Sequence, residues 1–409
     1  MNQTSIFDVE KGYKFWSRGQ KGDFLLSFVA LSQILLSAIQ GAMIAMRFSD
    51  ETSSQVRISM SIITIIIAVP VLIKRKTILV IATYFAALAV YLFHVVCYPD
   101  TIVYWHSEAF KFTFPISIPS ALCIIAIKDK NIFNYVLKII AYLTGALCLL
   151  YGMRVLMGAY DLGFSYNQGF GYMLLFPILV LYYQRKWYSL LISAILFLFL
   201  LLYGARGPVL SIAIFFVYVF ISKKKYLLLV VTLVAITTIM PLLNSTLESQ
   251  GLSSRTLELY LSGEIDAGNG RDVINDQIEK GIQKNPYGWG LFGDRVITHG
   301  ANNAHNFIRE ILAEFGLYLG SMVLLFFLYQ IVKRFIKVKG EDRDLYFLFF
   351  CACFIPTLVS GSYLTNTNFS LFIGIMFFLP HFYNKRKMNK YKVIGNSKAL
   401  VSNYRRLYE

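Results

Sequence analysis

Residues 187–222 read WYSLLISAILFLFLLLYGARGPVLSIAIFFVYVFIS, with Arg206 as the one charged side chain. Two apolar runs, 188–203 and 208–221, flank a short Gly- and Pro-bounded break. Water offers no way to hide so much hydrocarbon, so lipid must be the solvent of such a pair. The rest of the chain reads the same way. Of 409 residues 56% are apolar and 15% charged, with 34 Phe, 27 Tyr and a mean hydropathy of +0.57.

Twelve runs are predicted as membrane-crossing helices: 24–46, 58–73, 77–96, 112–127, 132–156, 169–183, 188–203, 208–221, 226–243, 314–332, 345–359 and 369–383. Several are shorter than the ~20 residues that hydrocarbon requires. The fourth, with Pro115 and Pro119, and the eighth are the weakest. The formal net charge of +16 does not point to nucleic acid, because the cations sit in short clusters between apolar runs. With the N-terminus in the cytoplasm, 27 of the 39 Lys and Arg fall on the cytoplasmic side, as the positive-inside rule expects. Both termini are then cytoplasmic. The five Cys lie in or beside apolar runs without metal-ligand spacing and read as small apolar residues. No cleavable signal peptide is recognisable ahead of Phe24.

The expected architecture is therefore an all-α polytopic membrane protein. Spans one to nine occupy 1–243, an outer loop 244–304, spans ten to twelve 305–383, and a basic cytoplasmic tail 384–409. The loop is too long to lack structure of its own. Ser253 or Ser254 could cap a short helix carrying Leu257, Leu259 and Leu261. Ile274, Ile278 and Ile282 recur every four residues, predicting a second helix from Arg271 to the stop at Pro286.

Several motifs carry two readings each. Gly288-Trp289-Gly290-Leu291-Phe292-Gly293 fits a dinucleotide fingerprint, yet no strand precedes it, so a tight turn allowing close backbone approach is expected instead. Arg206 either snorkels to lipid phosphates or is a rigidly presented phosphate clamp. Arg271 opposes the dipole at its helix start, so it either pairs with Asp272 or Asp276 or shares an anion with the free N–H groups. The run from Ala304 to Gly320 is read as a helix with His305, Arg309, Ala313, Gly316 and Gly320 on one face. Gly316 and Gly320 form a GxxxG pair open to a close helix neighbour. Glu310 and Glu314 sit at membrane depth, where a carboxylate is by default a functional candidate. His299 and His305 lack a third ligand, so no zinc site is expected.

Three features then resemble the O-antigen ligase and O-antigen polymerase superfamily of bacterial surface-polysaccharide enzymes. They are the Gly204–Gly207 segment with Arg206 to Leu210, Arg271 ahead of Pro286, Gly288 and Gly290, and His305-Asn306 with Gly316. The close resemblance covers about 165–330. It implies transfer of a glycan from an undecaprenyl diphosphate carrier at the outer, periplasmic face of the bacterial inner membrane, with no cofactor and no metal. A glycan acceptor, membrane lipid and a chain-length regulator protein are the implied partners, and nucleic acid is not. Arg206, Arg271 and Arg309 would bind the diphosphate in place of a metal. His305, or failing it Glu314, would be the catalytic base. Ligases often carry a small residue or Tyr where Leu319 stands, which leans the reading to a polymerase joining repeat units. A ligase acting on lipid A-core is the alternative. A transporter or flippase is disfavoured, because the outer loop between spans nine and ten breaks a six-plus-six symmetry.

Overall fold

The computed structural model describes residues 17–46, 48–156, 168–203, 206–227, 230, 271–300 and 303–381. Most of the expected ninth span, the 253–261 helix and the basic tail lie outside them. Every regular element among the described residues is helical, and none is a strand.

Helix α1 spans Arg18–Ala45 and opens on a reciprocal capping box between Ser17 and Gln20. Helix α2, Asp50–Cys97, starts on a Ser49 cap with Asp50 and Glu51 in the first turn, which suits the dipole. Lys76 breaks α2 at φ −143°, ψ 36°. The second and third expected spans are thus two limbs joined with almost no loop. The next segment, α3, runs over Pro99–Ala126 and includes a π-helix at Trp105–Ser117 with Pro115 inside. It begins well before the expected residue 112, because Pro99 nucleates a 3₁₀ turn directly after α2.

Helices α4 (Lys130–Leu156), α5 (Gln168–Gln184), α6 (Trp187–Tyr203) and α7 (Arg206–Ser222) match their expected spans within two residues. Helix α8 is Arg271–Lys284, as the isoleucine spacing predicts, and α9 is the short Gly293–Ile297. Helix α10 runs Phe307–Lys337, α11 Glu341–Phe349, and α12 Ile355–Val359 after a π turn; α13 is Thr367–His381. Among the described residues, α1, α2, α3, α4 and α10 are long and apolar enough to cross a membrane, and α5, α6, α7 and α13 are shorter apolar helices.

One end of the bundle is tied by polar contacts. Arg75 at the α2 kink pairs with Asp23 of α1 and donates to the Ala126 carbonyl at 3.1 Å. Asp23 also accepts the Lys128 N–H at 2.8 Å. Lys130 pairs with Asp342, and Tyr218 and Arg185 both reach Asp344. These are the segments assigned by charge to one side of the membrane, and they meet.

The largest departure is in α10. Expected as one helical face from His305 to Gly320, it is a hairpin of two limbs. His305 lies before the helix at φ 48°, and Asn306 is the cap, accepting from the N–H groups of Ile308 and Arg309 at 2.9 and 3.2 Å. Gly316 then breaks the helix at φ 76°, ψ 175°. A Cβ on Gly320 would sit 3.0 Å from the Ile311 carbonyl, so the first limb lies back against the second. The Phe307 and Phe327 rings, 5.4 Å apart, confirm it. The glycines do permit a close approach, but by the chain's own limb and loop rather than by another helix.

Candidate functional site

The loop before α10 is shaped by its glycines. Gly288 and Gly290 adopt φ 96° and 77°, and a Cβ on Gly288 would fall 2.4 Å from the Glu314 carbonyl oxygen. Only a residue without a side chain lets this backbone lie on the top of the first α10 limb. Trp289 and Gly290 donate their N–H groups to the carbonyls of Ala313 and Glu314 at 2.9 and 3.0 Å, and Leu317 donates to Pro286 at 2.8 Å. The fingerprint-like glycines are therefore a close-packed turn, as the sequence suggested. His94 on α2 accepts the Leu291 N–H at 2.8 Å and fixes the turn from the side.

Beneath this turn lies a buried charge network. Arg295, on α9, forks onto Glu108 of α3 through Nε at 3.1 Å and Nη2 at 2.9 Å. Its Nη1 donates to Asp294 at 2.7 and 2.9 Å and to Glu310 at 3.2 Å. Burial by itself would lower the Arg295 pKa, but Asp294, Glu108 and Glu310 outweigh it and hold the guanidinium charged above its usual range.

Asp294, Glu310 and Glu314 are all buried, and each offers an oxygen within 4.8 Å of the others'. That is a spacing a cation could use, so the donors around them matter. Asp294 also accepts the Ala304 N–H at 2.8 Å. Glu310 accepts from the Ser362 hydroxyl and, at 3.0 Å, from the Tyr363 N–H. Glu314 accepts the Phe292 N–H at 2.9 Å and the Tyr363 hydroxyl. Every one of the six oxygens thus faces a protein donor, and Arg295 supplies the positive charge. The trio suits an ion-pair and hydrogen-bond frame better than a metal cage.

The sequence-predicted residues are distributed around this frame. Glu314 is in it. Arg309 is on the same limb but points away, pairing with Glu279 of α8 at 2.9 Å. His305 sits at the foot of the limb, its N–H donated to Asn303 at 3.2 Å. Arg206 opens α7, and Arg271 opens α8; for both, the description ends at the backbone. Gly207, beside Arg206, packs toward Tyr172 and Val359, the latter shortly before Ser362 and Tyr363. Helix α8 buries Ile278 against Ala304 and Ala313, which brings Arg271's helix onto the same limb. Of the two expected Arg271 partners, Asp276 pairs with Lys280 at 2.6 Å.

Sequence reading missed Asp294, Arg295, Glu108, Ser362 and Tyr363. The adjacent Asp294-Arg295 pair just after the glycine turn was the available hint. Nothing local marks Glu108, which meets Arg295 only through the fold.

The chain's residues 191–325 match the family described as O-antigen ligase. No curated protein and no solved structure matches. The matched stretch contains the α6–α7 pair, the glycine turn, the buried frame's Asp294, Arg295, Glu310 and Glu314, and the first limb of α10. Its apolar helices mark the chain as an integral membrane protein, and its 191–325 region is similar to the O-antigen ligase family.

Proposed function

We propose that this protein is a glycosyltransferase of the bacterial inner membrane that moves an undecaprenyl-diphosphate-linked glycan onto a sugar hydroxyl, joining repeat units as a polymerase. The observation that carries the reading is that the matched stretch contains Arg206, Arg271, His305 and Arg309, with His305 and Arg309 at the first limb of the hairpin and Arg271 opening the helix packed on that limb. In the reaction, the bond from the anomeric carbon to the diphosphate oxygen breaks, and the leaving diphosphate keeps the electron pair. The acceptor oxygen forms the new glycosidic bond, and its proton passes to His305. Arg206 and Arg271 hold the diphosphate and bind it more tightly as its charge grows. Arg309 joins them by exchanging Glu279 for phosphate. Their pair is solvent-accessible, with 33% and 56% of the two side chains exposed, and such pairs contribute only about 0–1 kcal/mol.

His305 suits the role of base better than Glu314. Both Glu314 oxygens already accept donors and its side chain is buried, so it positions the turn above the limb. The site faces the periplasm in this reading, with both termini cytoplasmic, and a chain-length regulator is the expected protein partner.

The test is glycan laddering in cells carrying Arg206→Ala, Arg271→Ala or His305→Ala, with membrane abundance followed by immunoblot. Each is expected to lower polymer formation by roughly 10²–10³-fold at normal abundance, as loss of one transition-state donor does elsewhere. Arg→Lys variants keep charge but lose the planar fork and should recover only part. Wild-type ladders from both Arg→Ala variants would remove the diphosphate clamp. Accumulation of single repeat units in the His305 variant supports the polymerase over the ligase; unlinked full-length polymer supports the ligase.

A further inference from the structure

A polar cavity lies away from the carboxylate frame. It has a volume of about 290 Å³ and is walled by α1, α2, α5 and the segment leading into α13. Ile34, Phe176 and Cys353 give it an apolar lining, and Arg57, Ser37, Tyr172, Thr365, Asn366 and Asn368 a polar one.

Arg57 is the unusual member. It sits seven residues into α2, about 10 Å below the helix start at 1.5 Å per residue. It stands one residue ahead of the expected second span, 58–73, and lines the cavity. Among the described residues its side chain donates to the Gln40 amide oxygen at 3.0 Å and pairs with no carboxylate, and no acidic residue lines the cavity. The guanidinium has five N–H donors in a fixed fork, and among the described residues Gln40 takes one of them.

Asn368 adds an independent observation of the opposite sign. Its side-chain oxygen is buried and has no hydrogen-bond partner among the described residues. An orphaned buried acceptor is disfavoured and calls for a donor. An anion without an O–H, such as sulfate, meets Arg57 but not Asn368, since it has no hydrogen to give. A sugar hydroxyl meets Asn368 but leaves Arg57 unneutralised. A sugar ring bearing a negative group satisfies both.

The cavity also adjoins the proposed transfer site by two routes. Tyr172 lines it and would lie 2.3 Å from a Cβ on Gly207, next to Arg206. The loop that carries Thr365 and Asn366 on the cavity side carries Ser362 and Tyr363 on the side of Glu310 and Glu314.

We propose that this cavity is a binding subsite for one anionic sugar unit, with Arg57 taking the charge and Asn368 accepting a ring hydroxyl. The proposal rests on the glycan-transfer reading only for the source of the sugar. That source is either the carrier-proximal sugar with its phosphate or an acidic sugar within the glycan.

The test is binding without turnover, by isothermal titration of the detergent-purified full chain with a hexose 1-phosphate, a hexuronate and the neutral hexose. At least one charged probe is expected to bind the native protein, and the neutral hexose at least ten-fold more weakly. Arg57→Gln should abolish that preference, Arg57→Lys should retain part of it, and Asn368→Ala should weaken the charged probe while keeping the preference. Thermal unfolding of each variant monitors the fold, and Arg57→Lys serves if Arg57→Gln does not fold. Preference for the phosphate assigns the carrier-proximal sugar, and preference for the uronate an acidic unit. Failure of both charged probes to bind the native protein, or unchanged binding in the Arg57 variants, overturns the subsite. Either result leaves the ladder phenotypes of Arg206, Arg271 and His305 to judge glycan transfer separately.

Discussion

At Arg295, one guanidinium stands between Asp294, Glu108 and Glu310, with only 4% of its side chain exposed. Arg295→Met would leave those carboxylates facing one another without a cation. Removing one partner of a buried ion pair costs roughly 3–5 kcal/mol. The variant is expected to show a much lower thermal midpoint in detergent and reduced membrane abundance, with Arg295→Lys intermediate because it loses the fork. Native-like midpoint and abundance for Arg295→Met would show that the network does not hold the loop. Glu314→Gln is the gentler case. The amide can still accept the Phe292 N–H and turn its NH₂ toward Tyr363. Trading charge-assisted for neutral hydrogen bonds should cost no more than about ten-fold in glycan transfer. Near-complete loss of transfer at normal abundance would return the role of base to Glu314.

The elements were readable in unequal measure. Apolar run length located α4 to α7, and the isoleucine spacing located α8, because both patterns are properties of contiguous sequence. The α10 hairpin was not readable. Phe307–Phe315 and Leu317–Lys337 have the periodicity of one continuous helix, and Gly316 in such a run is as compatible with a GxxxG contact as with a break. What decides is the backbone of Pro286–Gly288, lying where a straight helix would put a neighbour. Gly316→Ala tests this element. Its φ and ψ fall in a region essentially reserved for glycine, and its Cβ would lie 2.3 Å from the Pro286 carbonyl oxygen. The variant should lose several degrees of thermal midpoint and accumulate poorly. Gly19→Ala, whose Cβ would meet only Ser17 Oγ at 3.8 Å inside α1, should be neutral or slightly stabilising. Equal midpoints for the two variants would argue against the hairpin.

Across the whole molecule, the charge pattern makes an orientation prediction. Reporter fusions after Lys225 and after Val338 should read cytoplasm, and a fusion near Ser262 should read outside. A cytoplasmic reading at Ser262 would put the proposed site in the wrong compartment. The Asp294, Glu310 and Glu314 trio makes a metal test informative as well. With every carboxylate oxygen facing a protein donor, transfer in purified membranes should survive EDTA. Loss of turnover restored by magnesium or manganese would turn the trio into a cation site and displace the arginines from the centre of the mechanism.

Composition and run length by themselves determined that lipid is the solvent and that the chain is built of apolar helices, since both follow from adding up local transfer free energies. Motif order singled out Arg206, Arg271 and His305. Only the tertiary structure decided which charges meet. Glu108 and Arg295 are separated by 187 residues, and Arg57 and Asn368 by more than 300, so no periodicity links them. Partners for buried charges are chosen by how helices stack and loops fold back. In a bundle whose apolar surfaces are nearly interchangeable, that choice rests on a few glycines and polar contacts rather than on the hydrophobic pattern.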